Sequence, residues 1–347
     1  MTFDPRICLF LVALLPSMVT VSAQQIPSQA MATSRSVHLN VVVASKSGTT
    51  ITGLQQQDFT LLDNKSARPI TSFKAVSTGQ EPVKVILLID AVNIGFDQVA
   101  LDRDQVQKFL RANGGHLTHP TTIAILTDKG TQMQKDFSGD GNALSASLDH
   151  NTIGLREITR STGIWGADER VQISLTALHQ LIAYAATTPG RTIILWVSPG
   201  WPLLSGPGID LDSKQQQQIF NDVVGLSTRL RQANVTLYNI NPIGPSENLL
   251  RAGYYQEFIK GVSKPAQTNL ADLSLQVLAA QSGGLVLEGN SDVAGMLKRC
   301  LAETESWYEI TFDAPPAEHP NEYHHVEIIV DKPGLIARTR NGYYSQP

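Results

Sequence analysis

The chain has 347 residues, a formal net charge of -4, and 42% hydrophobic against 17% charged residues. That balance describes a globular protein with core enough for two or three domains. With no basic patch, it excludes the electrostatic footprint of a nucleic-acid or anionic-membrane binder.

Met1 to Ala23 combine Arg6, an apolar stretch from Ile7 to Val21 and a small-residue end, Val21-Ser22-Ala23. This is the pattern of a secretory signal peptide cut after Ala23. The stretch is interrupted by Pro16 and falls short of the ~20 residues of a spanning helix. The mature chain is therefore expected to be soluble, secreted or periplasmic, and without a transmembrane segment. Of the two cysteines, Cys8 leaves with the leader, and Cys300 reads as a small apolar residue on the buried side of a helix.

Residues 24–80 read as an N-terminal β-segment, with Val37 to Val43, Phe59 to Leu62 and Ile70 to Phe73 as strands and Asp63-Asn64-Lys65-Ser66 as a turn. Over 81–304 apolar strands alternate with helical periodicity, which predicts a mostly parallel sheet covered by helices. The strands fall at Val85–Ile89, Thr122–Leu126, Thr192–Val197, Val235–Ile240 and Gly284–Glu288, with Thr131–Phe137 as an antiparallel edge piece. Helices are expected over Asp102–Arg111, Ala143–Leu148, Val171–Ala186, Gln216–Gln232, Leu270–Gln281 and Val293–Glu303. Residues 305–347 return to β-structure, with strands at Trp307–Phe312, Val326–Val330 and Leu335–Arg340 and a hairpin turn at Asp331-Lys332-Pro333-Gly334. About three strands at each end are too few to bury a core alone, so the two segments are expected to form one β-sandwich.

Val85-Ile86-Leu87-Leu88-Ile89-Asp90 followed by Ala91-Val92-Asn93 resembles the first strand and metal-site loop of a von Willebrand factor type A domain. The whole mature chain resembles the VWFA-related family common in Acidobacteria. Three stretches carry that likeness in order: Gly53-Leu54 to Asp58-Phe59-Thr60-Leu61-Leu62-Asp63, Pro189-Gly190-Arg191 to Leu195-Trp196-Val197-Ser198-Pro199-Gly200, and Pro333-Gly334-Leu335 to Arg340-Asn341-Gly342-Tyr343-Tyr344. The resemblance implies an α/β, Rossmann-type, mostly parallel sheet with helices on both faces and flanking β-segments. It also implies a Mg²⁺ site built on Asp-x-Ser-x-Ser, a threonine and a further aspartate. Asp90 keeps the first place, but Val92 and Ile94 stand at the serine positions, Ser198 falls near the aspartate position, and only Gln172 or a neighbour is near the threonine position. Six oxygens in octahedral geometry are not available from that set, so the site reads as degenerate, with no metal and no cofactor expected. Asp90 is then either a strand-end carboxylate holding its loop or part of a binding face.

Other chemistries find little support. His116 and His119 have no third ligand nearby for zinc, and the strand neighbours His324 and His325 point to opposite faces. Gly206-Pro207-Gly208 lacks the setting of a dinucleotide loop, no Gly-x-Ser-x-Gly elbow occurs, and Asp128 sits in the turn Thr127-Asp128-Lys129-Gly130. No enzymatic activity is expected.

Phe96 and Trp201-Pro202-Leu203-Leu204 follow strand ends on one sheet edge, either capping the core or forming an apolar contact face. Pro242 to Gln267, with Tyr254, Tyr255 and Phe258, is expected as a lid over that edge. The partner-binding candidates are thus Asp90, Asn93, Phe96, Ser198 and Trp201, in a protein-binding or adhesion-type module with an unknown protein partner. The alternative is a structural subunit that assembles through its β-segments.

Overall fold

The structure is a computed structural model describing residues 35–150, 163–201, 210–243, 253–288 and 290–347. The expected leader over 1–23, Pro202 to Leu204, Gly206 to Gly208 and residues 244–252 of the expected lid lie outside these ranges. Among the described residues no helix is long and apolar enough to cross a membrane.

The N-terminal segment contributes β1 (Ser36–Ser45), β2 (Phe59–Asp63), β3 (Ser66–Arg68) and β4 (Ser72–Ser77). The turn read at Asp63 to Ser66 is a two-residue hairpin in which Asn64 and Lys65 have φ of 49° and 65°. Positive φ at both central residues suits the twist of the strands it joins. Next come β5 (Val83–Asp90), α1 (Phe96–Leu110), β6 (His116–Thr127), β7 (Gly130–Met133), β8 (Ser138–Asp140), α2 (Gly141–His150) and α3 (Gly163–Ala186). They are followed by β9 (Arg191–Val197), α4 (Ser213–Gln232), β10 (Val235–Ile240), α5 (Leu275–Gln281), β11 (Val286–Leu287) and α6 (Val293–Ala302). The tail supplies β12 (Ser306–Asp313), β13 (Glu322–Val330), β14 (Leu335–Arg338) and β15 (Gly342–Ser345).

The central sheet runs β11-β10-β9-β5-β6-β7, with β8 also pairing with β6. β5, β6, β9, β10 and β11 are parallel to their neighbours, while β7 and β8 run antiparallel to β6. Counted along the chain this is the doubly wound order 3-2-1-4-5-6, with a reversed third strand at the edge. Strand alternation fills both faces. Ile86, Leu88, Ile194 and Trp196 pack with α3, α4 and α5, whereas Val85, Leu87, Ile89 and Leu195 pack with α1, α2 and α6. Each such side chain contributes about 1.5–3 kcal/mol by leaving water, which explains why these strands read as continuous apolar runs.

The α/β fold class expected from the sequence, a mostly parallel sheet with helices on both faces and flanking β-segments, is the one observed. The flanking segments interleave: one sheet is β14-β1-β12-β4 and the other β15-β13-β2-β3. Val37, Leu39, Val41, Leu61, Tyr308, Ile310, Phe312 and Ile328 share one core between them. They form a single sandwich, with four strands from each segment rather than about three. Buried Asp63 ties the segments together, accepting from His324 Nδ1 at 2.8 Å and Tyr343 Oη at 3.1 Å.

Candidate functional site

The order reverses between β5 and β9, so the loops leaving their C-terminal ends go to opposite sides of the sheet and open a crevice between them. Asp90 ends β5 and Ser198 follows β9, so both candidates stand at this switch point. Asp90 is fully buried. Its Oδ1 accepts from the backbone N–H of Val92 at 2.8 Å and of Asn93 at 2.9 Å. Its Oδ2 accepts from Asn93 Nδ2 at 2.7 Å, Ser198 Oγ at 2.7 Å and Trp196 Nε1 at 3.3 Å. These donors occupy the carboxylate's acceptor positions.

The neighbours lock the same arrangement. Asn93 Nδ2 also reaches Ser174 Oγ on α3 at 3.0 Å, and Ser198 Oγ accepts from Gly200 N–H at 2.9 Å. The Ser198 hydroxyl is thereby used as both donor and acceptor, and no imidazole bonds to it among the described residues. Gly200 has φ of 82°, and a Cβ there would run into the Gln276 side chain at 2.8 Å. Gln276 Nε2 in turn donates to Pro199 O at 2.7 Å, pinning this loop onto α5.

Val92 and Ile94 do more than lack oxygen: they are 0% and 2% exposed and plug the two opposite core clusters. Gln172, the nearest sequence candidate for a threonine-type ligand, is exposed on α3 and takes no part in the network. Ser174, two residues on, supplies the α3 contact instead. A Mg²⁺ ion needs oxygen lone pairs, and Asp90 offers its own to five N–H and O–H donors. The residues present do not fit the ion that the resemblance implies.

Of its two expected settings, core cap or contact face, Trp201 has the packing of the first: 3% exposed, it packs edge-on against Trp196 at 5.6 Å and donates from Nε1 to Leu273 O at 3.0 Å. Phe96 is 58% exposed at the start of α1 and stays outside the network. Leu101 on α1 and Ile243 beyond β10 are also exposed. Of the expected lid, Tyr254 packs edge-on against Phe258 at 5.3 Å, and Val262 is buried.

Sequence reasoning missed Trp196, Ser174 and Asp102. Ser174 is a small polar residue on the buried stripe Val171, Ser174, Leu175, Leu178, a signal readable from helical spacing. Asp102 breaks the buried stripe Val99, Val106, Phe109 of α1 in the same way. Burial pushes its carboxyl up to about 6, opposed by a hydrogen bond from Gln98 and reinforced by the negative charge of Asp90.

His119 is buried and bonds Thr304 Oγ1 at 2.7 Å, while His116 is exposed, so the pair does not converge. His324 and His325 face opposite ways, one buried and one exposed.

No protein-family model matches the chain, and no curated protein matches it. Among solved structures it is similar to the manganese-loaded TRAP protein of Plasmodium vivax, with 12% identity and a TM-score of 0.33 over 77% of this chain and 96% of that one. It is also similar to the SpRpn10 VWA domain, with 15% identity and a TM-score of 0.29 over 62% of this chain and 95% of that one. A third likeness is to the human COPII-coat protein Sec24c, with 10% identity and a TM-score of 0.31 over 76% of this chain. The chain spans only 43% of Sec24c. Strand order and switch point, taken from the chain itself, define the class: a doubly wound α/β domain inserted into a β-sandwich.

Proposed function

We propose that this chain is a secreted or periplasmic protein-binding module that engages its partner through the C-terminal edge of the central sheet, with no metal at Asp90 and no catalysis. The observation that carries this reading is the placement of exposed Phe96, after β5, and exposed Ile243, after β10, on the sheet edge whose switch-point carboxylate is satisfied by its own loops. Loops held by a rigid sheet present a stable surface, and large apolar side chains left in water on it gain free energy when a partner covers them. With the carboxylate engaged internally, binding would draw on those apolar groups rather than on a bridging ion. The Ser198 hydroxyl is held between Asp90 and Gly200 with no imidazole bonded to it among the described residues, which supports a non-catalytic role.

A second reading, assembly through the sandwich, is favoured by the exposure of Ile329 and Ile336. Photo-crosslinking amino acids placed singly at Phe96, Ile243 and Ile336 separate the two in the envelope fraction of the source organism. Adducts from Phe96 and Ile243 are expected. Adducts from Ile336 alone, joining copies of this chain, would replace the first reading with the second.

A further inference from the structure

The sheet edge opposite Asp90 carries the starts of the parallel strands. There the first residues of β6, with the His116 and His119 pair that the Asp90 site leaves unexplained, meet the C-terminal ends of α1 and α6 around a cavity of about 240 Å³. Alternation along β6 decides what faces it. Leu117, Ile123 and Ile125 pack into the core shared with α1 and α6, and His119 and Thr121 are in phase with them. The bond from His119 to Thr304, just past α6, confirms that side. His119 and Thr121 are buried and line the cavity, and Phe109, Leu117, Leu301 and Ala302 form its apolar walls. Exposed Lys298 and Glu305 stand at its mouth with opposite charges, so the entrance favours neither cations nor anions.

The hydrogens of this polar pair are already committed. Thr304 Oγ1 donates to Leu301 O at 2.6 Å, so in its contact with His119 Nε2 at 2.7 Å the imidazole is the donor. That fixes the tautomer: Nε2 carries the proton and Nδ1 is a bare lone pair. Burial, and after it the positive charge of Arg191, holds the His119 pKa below its ordinary value, so the ring is neutral near pH 7. Nδ1 has no hydrogen-bond partner among the described residues and is not closed off from solvent. Thr121 Oγ1 spends its proton on His119 O at 2.9 Å and likewise keeps only acceptor capacity. The buried polar lining therefore offers acceptors and no donor.

A cavity of about 150 Å³ is enough to hold benzene, so this one has room for a ring with a small fused or attached group. We propose that it binds a small planar molecule, an aromatic or heteroaromatic ring bearing an N–H or O–H donor, with the donor accepted by His119 Nδ1 and the ring against the apolar walls. A ring without a donor would strip water from Nδ1 and leave it unpartnered, which is the source of selectivity. A carboxylate or phosphate would set lone pair against lone pair at the same atom. The site lies at the other end of the sheet from Phe96 and Ile243 and does not depend on the protein-binding reading.

The test is an NMR titration of the nitrogen-15-labelled full chain, following backbone amides and histidine ring nitrogens, with indole and with benzofuran, a ring of the same shape in which oxygen replaces the N–H. The free protein should show His119 as the Nε2–H tautomer. Indole at millimolar concentration should move the amides of Leu117, His119, Leu301 and Ala302 saturably, together with the His119 Nδ1 signal. Benzofuran should bind roughly tenfold more weakly or not at all, as loss of one hydrogen bond to a buried acceptor implies. Ala302→Leu, which adds bulk at a half-buried position of the cavity wall, should weaken indole binding while keeping the folded amide spectrum. The comparison of the two rings on the wild type carries the test if that variant fails to fold. No saturable indole binding, equal binding of indole and benzofuran, an unmoved His119 Nδ1 signal, or undiminished indole binding by folded Ala302→Leu would overturn the proposal.

Discussion

Asp102 places a carboxyl in the middle of an apolar helix face, and its titration can be worked through to a stability. In the fold its pKa rises from 3.8 to about 6, first because burial disfavours the charged form and then because Asp90 is negative. Between those two values the folded chain holds a proton that the unfolded chain releases, so the contribution of Asp102 to stability is full below pH 3.8 and is lost as pH rises through about 6. The displacement corresponds to about 3 kcal/mol above that range, at 1.36 kcal/mol for each tenfold change in proton affinity. Asp102→Asn keeps the shape and the oxygen that accepts from Gln98, and removes only the charge. Urea unfolding of both proteins at pH 7.5 and pH 4 is the assay. The variant should gain about 2.4 kcal/mol relative to wild type on going from the lower to the higher pH, less than the full displacement because the unfolded carboxyl is already partly ionised at pH 4. A difference that does not change with pH would refute the claim that Asp102 is held in an uncompensated apolar setting.

Other substitutions probe the packing and the hub. Trp201→Ala should cost about 3–5 kcal/mol in urea unfolding, as expected for a large buried aromatic, while leaving partner affinity per folded molecule unchanged. Asp90→Ala leaves the Val92 and Asn93 N–H groups and the Trp196 indole without their acceptor, and should lower stability by on the order of 4 kcal/mol in the same assay. Deleting residues 305–347 removes the strands that pair with β1 and β2, so circular dichroism on heating should show no cooperative transition; a sharp one would mean that the sandwich is dispensable.

The central sheet was legible because buried parallel strands are apolar on both faces: Val85–Ile89, Thr192–Val197 and Val235–Ile240 stand out as runs. β3 and β15 were not, since Ser66-Ala67-Arg68 has no apolar alternation and β15 opens on Gly342. β11 is two residues long rather than five, because Gly284 lies directly over Leu237 O, where a Cβ would be 1.8 Å away. At the site, Asp90, Asn93 and Ser198 were legible as strand-end polar residues. Choosing Gln172 over Ser174 was a matter of helix phase, because two residues turn a side chain about 200° from the exposed to the buried side. Trp201 was ambiguous because its partner Leu273 O is 72 residues away, and no local pattern says which loop will be covered.

The most direct test of the account is the response of the Asp90 site to divalent cations. Thermal unfolding of wild type and Asp90→Asn in 0 to about 10 mM Mg²⁺ and Mn²⁺ reads it, since an ion bound only by the native state raises stability by RT ln(1 + [L]/Kd). With the carboxylate bound by five protein donors, Tm should show no saturable rise in either protein. A saturable increase of several degrees in the wild type that Asp90→Asn abolishes would contradict the account and restore a working metal site.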